Sequence, residues 1–423
     1  MAEAPLAAGA GGLPARRVLM VAFHFPPMSG SSGIQRTLRF VQHLPTFGWQ
    51  PSVLTCRASA YERTSADLMT ELPAEVPVRR ALALDAARHL SVFGRYFAAT
   101  ARPDRWMSWR FDAVRVGMRA IREFRPQLIW STYPIATAHL IGAELQRRSG
   151  LPWVADFRDP MAQPGYPADP STFRQYQRIE AQAFESARAC VFTTPGAART
   201  YRERFPGAAA GIEVVENGFD EESFAGLGAL TPLTPGAVTL LHSGIVYPDE
   251  RDPTQLLNAL QRLRAAGLID PSRLRIRFRA AVHDELLHRL ASERGVDDFI
   301  ETLPPVRYRA ALREMCCADG LLVMQASNCN EQIPGKLYEY LRAAKPILCL
   351  SDPLGDTADL MRRAGVGTIA ALDSADAICA VIPQFIEMLR EGRAPLPAPA
   401  FVRDASRQGR TGQLAAHFER FVS

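Results

Sequence analysis

The sequence of 423 residues has few lysines, no long apolar run and no patterned cysteines. No stretch approaches the roughly 18 consecutive apolar residues that a membrane-spanning helix needs. The seven cysteines lack C-x-x-C spacing, which argues against a zinc site and favours reduced thiols in a cytoplasmic protein. Residues 1–15 lack the basic start and the apolar centre of a signal peptide, so we expect a disordered leader there.

Lysine is the scarcest charged residue, with two lysines against 47 arginines. Both lysines, Lys336 and Lys345, fall between residues 331 and 346. Chance is one explanation. The other is that a compact ammonium is required beside a phosphate, where the rigid fork of arginine would not serve. Lys345 follows a predicted helix and suits the negative end of its dipole.

Apolar runs alternate with segments of helical periodicity along nearly the whole chain, which predicts an α/β fold. The first series opens with a buried strand at 17–23, a glycine-rich loop, a helix and a strand at 50–55. A second series opens with a strand at 238–242 and includes a helix at 334–344.

A stretch rich in glycine, proline and threonine, residues 226–237, separates the two series and predicts a linker. We therefore expect two doubly wound, Rossmann-like domains facing a central cleft, at residues 16–225 and 238–400. Residues 401–423 are expected to form a C-terminal helix that crosses back to the first domain.

Two candidate ligand-binding segments lie in the first half. The loop after the first strand contains Gly30 and Gly33 but not G-x-G-x-x-G, which argues against a dinucleotide site. Asp156, Arg158 and Asp159 stand at the carboxyl end of a predicted strand, where ligands bind in open α/β sheets. They would form a polar floor for a hydroxylated acceptor, or else the two carboxylates simply neutralise Arg158.

The second half carries a constellation suited to a nucleotide. Gly244 follows a strand and Arg251 precedes a helix, so a cation and free N–H groups would converge on a diphosphate. Glu331 and Glu339 flank Lys336. A carboxylate accepts two hydrogen bonds side by side, which suits the two ribose hydroxyls.

Residues 79–125 are basic and aromatic. They hold eleven arginines against four acidic residues, a local balance of +7 that exceeds the chain's net +5. Interleaved phenylalanine, tyrosine and tryptophan suit a surface that docks on anionic lipid headgroups. A solvated helical face with core aromatics is the alternative. We expect no nucleic-acid partner.

At these motifs the sequence resembles the GT-B glycosyltransferases, and within them glycosyltransferase family 4. The resemblance spans residues 17–421 and rests on the glycine-rich loop, the Asn217-Gly218 turn, Gly244 with Arg251, and the Glu-x7-Glu pair followed by AAKPIL. It implies retaining, metal-independent transfer of a sugar from a nucleotide sugar to a glycan or lipid-linked acceptor, without a cofactor. A role in cell-envelope or exopolysaccharide biosynthesis follows, at the inner face of the cytoplasmic membrane.

The resemblance also implies residue roles. Arg251 would contact the diphosphate, Glu339 the ribose and Glu331 the ring hydroxyls of the donor sugar. The chain departs from the family at Arg158, where many members have histidine, and at Ile245, where a basic residue is common. Lys336 becomes the candidate for the missing charge, and the predicted catalytic residues are Glu331, Lys336, Arg251 and Arg158.

Three other functions fit parts of the sequence. A sugar-nucleotide epimerase would use the same two-domain fold. A non-catalytic carbohydrate-binding relative would not need the Glu331, Lys336 and Glu339 set. A nicotinamide oxidoreductase is disfavoured by the missing glycine fingerprint.

Overall fold

The structure, a computed structural model, describes residues 16–31, 33–91, 93 and 95–422. The leader predicted for residues 1–15 lies outside the described residues. The chain forms two compact units. The first contains the chain up to Phe192 with Phe205–Glu213 and Thr411–Ser423, and the second contains Thr193–Arg204 and Val214–Arg410.

The first sheet has seven strands. They are β1 (Arg16–Val21), β2 (Trp49–Cys56), β3 (Val78–Ala81), β4 (Leu128–Thr132), β5 (Trp153–Arg158), β6 (Ala189–Phe192) and β7 (Ile212–Val214). Their spatial order is 3-2-1-4-5-6-7, and the strands from β1 to β6 pair in parallel. The strand interiors are buried because helices cover both faces of a parallel sheet.

Among the described residues, six α-helices belong wholly or mostly to the first unit. They are α1 (Gly33–His43), α2 (Ala86–His89), α3 (Trp109–Phe124), α4 (Thr137–Ser149), α5 (Pro170–Ser186) and the end of α14 (Arg407–Val422). Phe418 of α14 packs edge-on against Trp49, with ring centroids 5.2 Å apart. This contact explains why the last residues of the chain belong to the first unit.

The second sheet has six strands. They are β8 (Val238–Ser243), β9 (Leu274–Arg279), β10 (Ile300–Leu303), β11 (Gly320–Gln325), β12 (Ile347–Ser351) and β13 (Ile369–Ala370). Their spatial order is 10-9-8-11-12-13, and all pairs are parallel. Leu240 and Leu241 lie in different core clusters because successive side chains of a strand point to opposite faces.

Eight helices pack in the second unit. They are α6 (Pro195–Arg204), α7 (Thr254–Ala265), α8 (Asp284–Ser292), α9 (Tyr308–Cys317), α10 (Lys336–Ala343), α11 (Asp356–Arg363), α12 (Ala375–Arg390) and α13 (Pro399–Asp404). The predicted fold class is confirmed, since each unit is a parallel sheet with helices.

The two sheets share one winding order. In each, the chain moves outward through three strands, returns to the centre, and then continues outward on the other side. The reversal lies between β1 and β4 in the first sheet and between β8 and β11 in the second. Ligands of doubly wound sheets bind at such switch points, outside the carboxyl ends of the strands.

The units divide the chain at other points than the predicted boundary. The segment 226–237 lies inside the second unit, where Leu227 and Leu233 pack against its core. Helix α6 also belongs to this unit, because the Gly196 N–H donates to Asp356 at 2.6 Å. Within the described residues, no helix combines the length and the apolar character that crossing a membrane requires.

Candidate active site

Helix α10 organises the second unit's site. Its buried side chains include Leu337, Tyr338 and Leu341, which anchor it in the core. The sequence predicted a helix from Pro334, but the α-helix begins at Lys336. The Leu337 N–H bonds to the Pro334 carbonyl at 2.9 Å, so a tight turn of i to i+3 bonds precedes the α-helical pattern.

The Lys336 ammonium lies against His242, the fifth residue of β8. Its Nζ is 2.7 Å from His242 Nε2, while His242 Nδ1 is 3.1 Å from the Leu322 carbonyl oxygen. A carbonyl only accepts hydrogen bonds, so Nδ1 carries the imidazole proton. The ammonium is also 3.5 Å from Nδ1, which places it over the face of the ring near Nε2. Burial and the Lys336 charge lower the pKa of His242 well below its usual range, so the imidazole is neutral.

Gly244 lies directly beneath this ammonium. Its φ of +123° is in the region that favours glycine, and a Cβ there would stand 3.5 Å from Lys336 Nζ. The preceding Ser243 N–H donates to the Tyr340 hydroxyl at 2.8 Å. Helix α10 therefore holds the end of β8 through two contacts, and the glycine backbone faces the cation.

Arg251 supplies a second positive charge. Its guanidinium donates to the Ile245 carbonyl at 2.6 Å and lies over the Tyr247 ring, 5.1 Å from the centroid. Burial, reinforced by the Arg251 charge, lowers the pKa of Lys336 well below its usual range. Two cations that destabilise one another close to Gly244 form a site for an anion such as a diphosphate. The Gly244 N–H donates to the Arg279 carbonyl at 2.8 Å, so the free N–H expected there from the sequence is already bonded.

Glu339 lies one turn along α10 from Lys336. Its Oε1 accepts a hydrogen bond from the Tyr308 hydroxyl at 2.7 Å. Burial raises the pKa of Glu339, while the Tyr308 hydrogen bond and the charges of Arg407 and Lys336 lower it. Tyr308, the first residue of α9, thus holds the Glu339 carboxylate in place.

Glu331 is exposed and contacts helix α6. Its side-chain Oε1 accepts from the Thr200 hydroxyl at 2.6 Å, and its backbone carbonyl accepts from Thr194 at 2.7 Å. The loop before α10 is therefore fixed by a helix that precedes it by more than a hundred residues. Glu331, Arg251, Lys336, Gly244 and Glu339 all belong to the second unit.

Asp156 of the first unit is a buried structural carboxylate. It is inaccessible to solvent, and its oxygens lie 2.9 and 3.0 Å from Arg36 nitrogens and 2.8 Å from the Thr132 hydroxyl. The sequence suggested Arg158 as its partner, or an acceptor. Arg36, an unpredicted residue on α1, instead forms the ion pair.

Arg158 approaches the glycine-rich loop. Its Nη1 lies 3.5 Å from the Gly33 carbonyl oxygen, and a Cβ on Gly33 would meet this nitrogen at 2.9 Å and His24 Nδ1 at 2.6 Å. Burial and the Arg158 charge lower the pKa of His24 to about 4. Gly33, His24 and Arg158 thus form one cluster, while Gly30 takes a φ of +81° and Asp159 is exposed.

Sequence reasoning missed five residues of these two sites. His242, Tyr308 and Thr200 support predicted residues in the second unit, and Arg36 and His24 do so in the first. Only His242 had a local signal, since it comes two residues before Gly244. Among the described residues, no cluster of three histidine, cysteine, aspartate or glutamate side chains is arranged to bind a metal. The metal independence expected above stays a prediction.

Comparison with known proteins bears on the fold. Residues 32–218 match the Glycosyl transferase 4-like domain. A glycosyltransferase from Rickettsia africae superposes with a TM-score of 0.65 at 10% identity, covering 97% of this chain and 99% of its own. The chain therefore has the fold of the GT-B glycosyltransferases. The resemblance predicted from the sequence is therefore confirmed.

Two further solved structures share this GT-B fold. The lipopolysaccharide outer core galactosyltransferase WaaB gives a TM-score of 0.63 at 11% identity, over 96% of this chain and 99% of its own. Anabaena HepE in complex with UDP gives 0.58 at 14% identity, over 96% of this chain and 95% of its own. No curated protein matches the sequence.

Proposed function

We propose that this GT-B protein is a retaining, metal-independent glycosyltransferase that uses a nucleotide-sugar donor. The observation that carries the proposal is that two cations meet at one loop, at the switch point of the second sheet: Lys336 lies beside Gly244, and Arg251 binds the carbonyl of the next residue, Ile245. Breaking a sugar–phosphate bond develops negative charge on the leaving diphosphate. Fixed cations stabilise that charge more in the transition state than in the ground state.

The remaining roles follow from the resemblance and fit the contacts. Glu339, held by Tyr308, would bind the ribose hydroxyls, and Glu331, held by Thr200, would bind the donor sugar. The first unit would bind the acceptor near Gly33 and Arg158. A uridine nucleotide is the first donor to test, because a HepE structure of the same fold contains UDP-glucose.

The experiment is an incubation of the protein with nucleotide sugars, with and without lipid-linked oligosaccharide acceptors. Acceptor-dependent release of nucleoside diphosphate, with an unchanged anomeric configuration in the product, is the expected result. A nucleotide sugar that isomerises without acceptor would instead identify an epimerase. An inverted product would contradict the retaining assignment.

We further propose that the acceptor is a glycan or lipid-linked intermediate of cell-envelope or exopolysaccharide biosynthesis, reached at the inner membrane face. The support lies in segment 79–125, where Phe93, Phe97 and Phe111 are 101%, 85% and 71% exposed. Exposed arginines accompany them. These are Arg88, Arg95, Arg115, Arg119, Arg122 and Arg125. Exposed aromatic rings beside cations suit an anionic headgroup layer.

Vesicle co-sedimentation tests this surface. We expect binding to phosphatidylglycerol vesicles at low salt, weaker binding at high salt, and little binding to phosphatidylcholine. Replacing Phe93, Phe97 and Phe111 together by serine is expected to reduce binding to the anionic vesicles without unfolding the chain, because all three rings are exposed. Equal binding of the variant and the wild type would contradict the assignment.

A further inference from the structure

The two charges of helix α10 are held apart by different partners. Lys336 and Glu339 are three residues apart, a spacing at which opposite charges on a helix normally meet. In the described part of the chain no ion pair joins them. Instead the ammonium lies against the His242 ring, 2.7 Å from Nε2, and the carboxylate accepts from Tyr308 at 2.7 Å. Each charge therefore stays available to a ligand group.

The His242 imidazole is fixed in place against the ammonium. The side chain is completely buried, and the backbone pairing of β8 with β11 ends one residue earlier, at Leu241 and Leu321. The imidazole bridges the two strands by donating from Nδ1 to the Leu322 carbonyl. This bond fixes both the ring orientation and the tautomer, so the face of a neutral ring lies against Lys336.

The charges around Lys336 act on its ammonium in opposite ways. Arg251 repels the ammonium from the loop after β8, and Glu339 attracts it along α10. A lysine side chain has a flexible four-carbon stem, so without an acceptor the ammonium would turn toward Glu339 or solvent. His242 holds it 3.5 Å from the position that a Gly244 Cβ would occupy.

We propose that His242 is a positioning residue: as a neutral imidazole protonated on Nδ1, it holds the Lys336 ammonium over Gly244, ready for a diphosphate. The inference rests on the proposed function, because it assigns that site to a diphosphate. It adds a residue that acts through Lys336 and does not touch the substrate.

The first test uses the wild-type protein without ligand. In a 15N spectrum of histidine-labelled protein, the signal that disappears in His242→Gln belongs to His242, one of eight histidines. We expect the ring to stay neutral, with the proton on Nδ1, at a pH where an ordinary histidine with a pKa of about 6.5 is already protonated, because burial and the Lys336 charge lower the pKa of His242. A ring protonated on Nε2, or one that titrates with that ordinary pKa, overturns the inference.

The second test follows the lysines. Lysine labelled with 13C and 15N gives two side-chain signals, and Lys345→Arg assigns them. Inorganic pyrophosphate, which carries no base or sugar, is the probe. We expect it to shift the Lys336 signal in the wild type and leave the Lys345 signal nearly unchanged.

Two substitutions at 242 separate positioning from packing. His242→Gln places an acceptor oxygen near Nε2 and is expected to keep pyrophosphate affinity within about threefold. His242→Leu fills the space without an acceptor and is expected to weaken binding about tenfold or more, the range for a hydrogen bond to a charged group. An unchanged Lys345 signal checks that the fold is intact.

The outcomes distinguish this inference from the proposed function. Equal pyrophosphate affinity in the leucine variant and the wild type overturns the role of His242, as does a wild-type Lys336 signal that does not respond to pyrophosphate. If pyrophosphate binds as expected but no nucleotide sugar is consumed, the inference stands and the proposed glycosyl transfer fails.

Discussion

Removing the Lys336 ammonium is the perturbation with the largest predicted effect on catalysis. In Lys336→Ala the diphosphate would lose one of two fixed cations. Two unit charges about 4 Å apart interact by about 4 kcal/mol at an effective dielectric constant near 20. Loss of one preorganised donor typically costs about 2.7–4 kcal/mol. We therefore expect kcat/KM for the donor to fall about 100-fold or more.

The fold should survive this substitution. Burial and Arg251 lower the pKa of Lys336, so its charge is unfavourable in the folded chain. Between that lowered pKa and the ordinary lysine value, the unfolded chain binds more protons than the folded chain. The free energy of unfolding therefore rises with pH across this window in the wild type. We expect a flatter pH dependence in Lys336→Ala.

The other lysine provides the matched control. Lys345 lies two residues beyond the end of α10 and has no predicted part in the site. Steady-state rates of nucleoside diphosphate release should be near wild type in Lys345→Ala and about 100-fold lower in Lys336→Ala. Unchanged turnover in a folded Lys336→Ala protein would refute the reasoning.

Three further substitutions test other parts of the structure. Gly244→Ala forces a side chain onto a φ of +123° and should lower the free energy of unfolding, measured by calorimetry, by about 1–3 kcal/mol, with loss of donor binding. Gly335→Ala is the control, because Gly335 has a φ of −55° and open space around it, and it should have little effect in the same assay. Tyr308→Phe removes the hydroxyl that holds Glu339 and should raise the donor KM about three- to tenfold; an unchanged KM would show that this contact is dispensable. Arg36→Met leaves a buried carboxylate without its cation and should lower the free energy of unfolding in urea by about 3–5 kcal/mol, so a loss below about 1 kcal/mol would contradict the ion pair.

The two parallel sheets were predictable because their signal is local. A buried strand appears as a short apolar run, and a packed helix repeats apolar residues at its own period. The strand predicted at 17–23 is β1, Arg16–Val21, and the one at 238–242 is β8, Val238–Ser243. The boundaries of the two units were harder to predict, because α6 joins the second unit through a contact between Gly196 and Asp356, which are 160 residues apart.

The residues of the site also divide into those with a local sequence signal and those whose role depends on distant contacts. Gly244, Arg251 and Lys336 were predicted as site residues because glycine and isolated cations near strand ends and helix starts have few structural uses, and that prediction remains to be tested. His242 was missed because it lies in the apolar run of β8, and that pattern predicts a core residue. The role of His242 depends on its contact with Lys336, 94 residues later in the sequence. The opposite error occurred at Asp156. Its charged motif predicted a ligand-binding residue, but its carboxylate forms a buried ion pair with Arg36, 120 residues away.

The central claim is that the site between β8 and α10 binds a nucleotide-sugar donor. A thermal-shift panel of nucleotide sugars, run in parallel on the wild type, Lys336→Ala and Lys345→Ala, tests it most directly. A donor at 100 times its dissociation constant stabilises the folded state by about 2.7 kcal/mol. We predict that at least one donor raises the melting temperature of the wild type and Lys345→Ala by several degrees but leaves Lys336→Ala nearly unchanged. Equal stabilisation of all three proteins, or of none, would contradict the account.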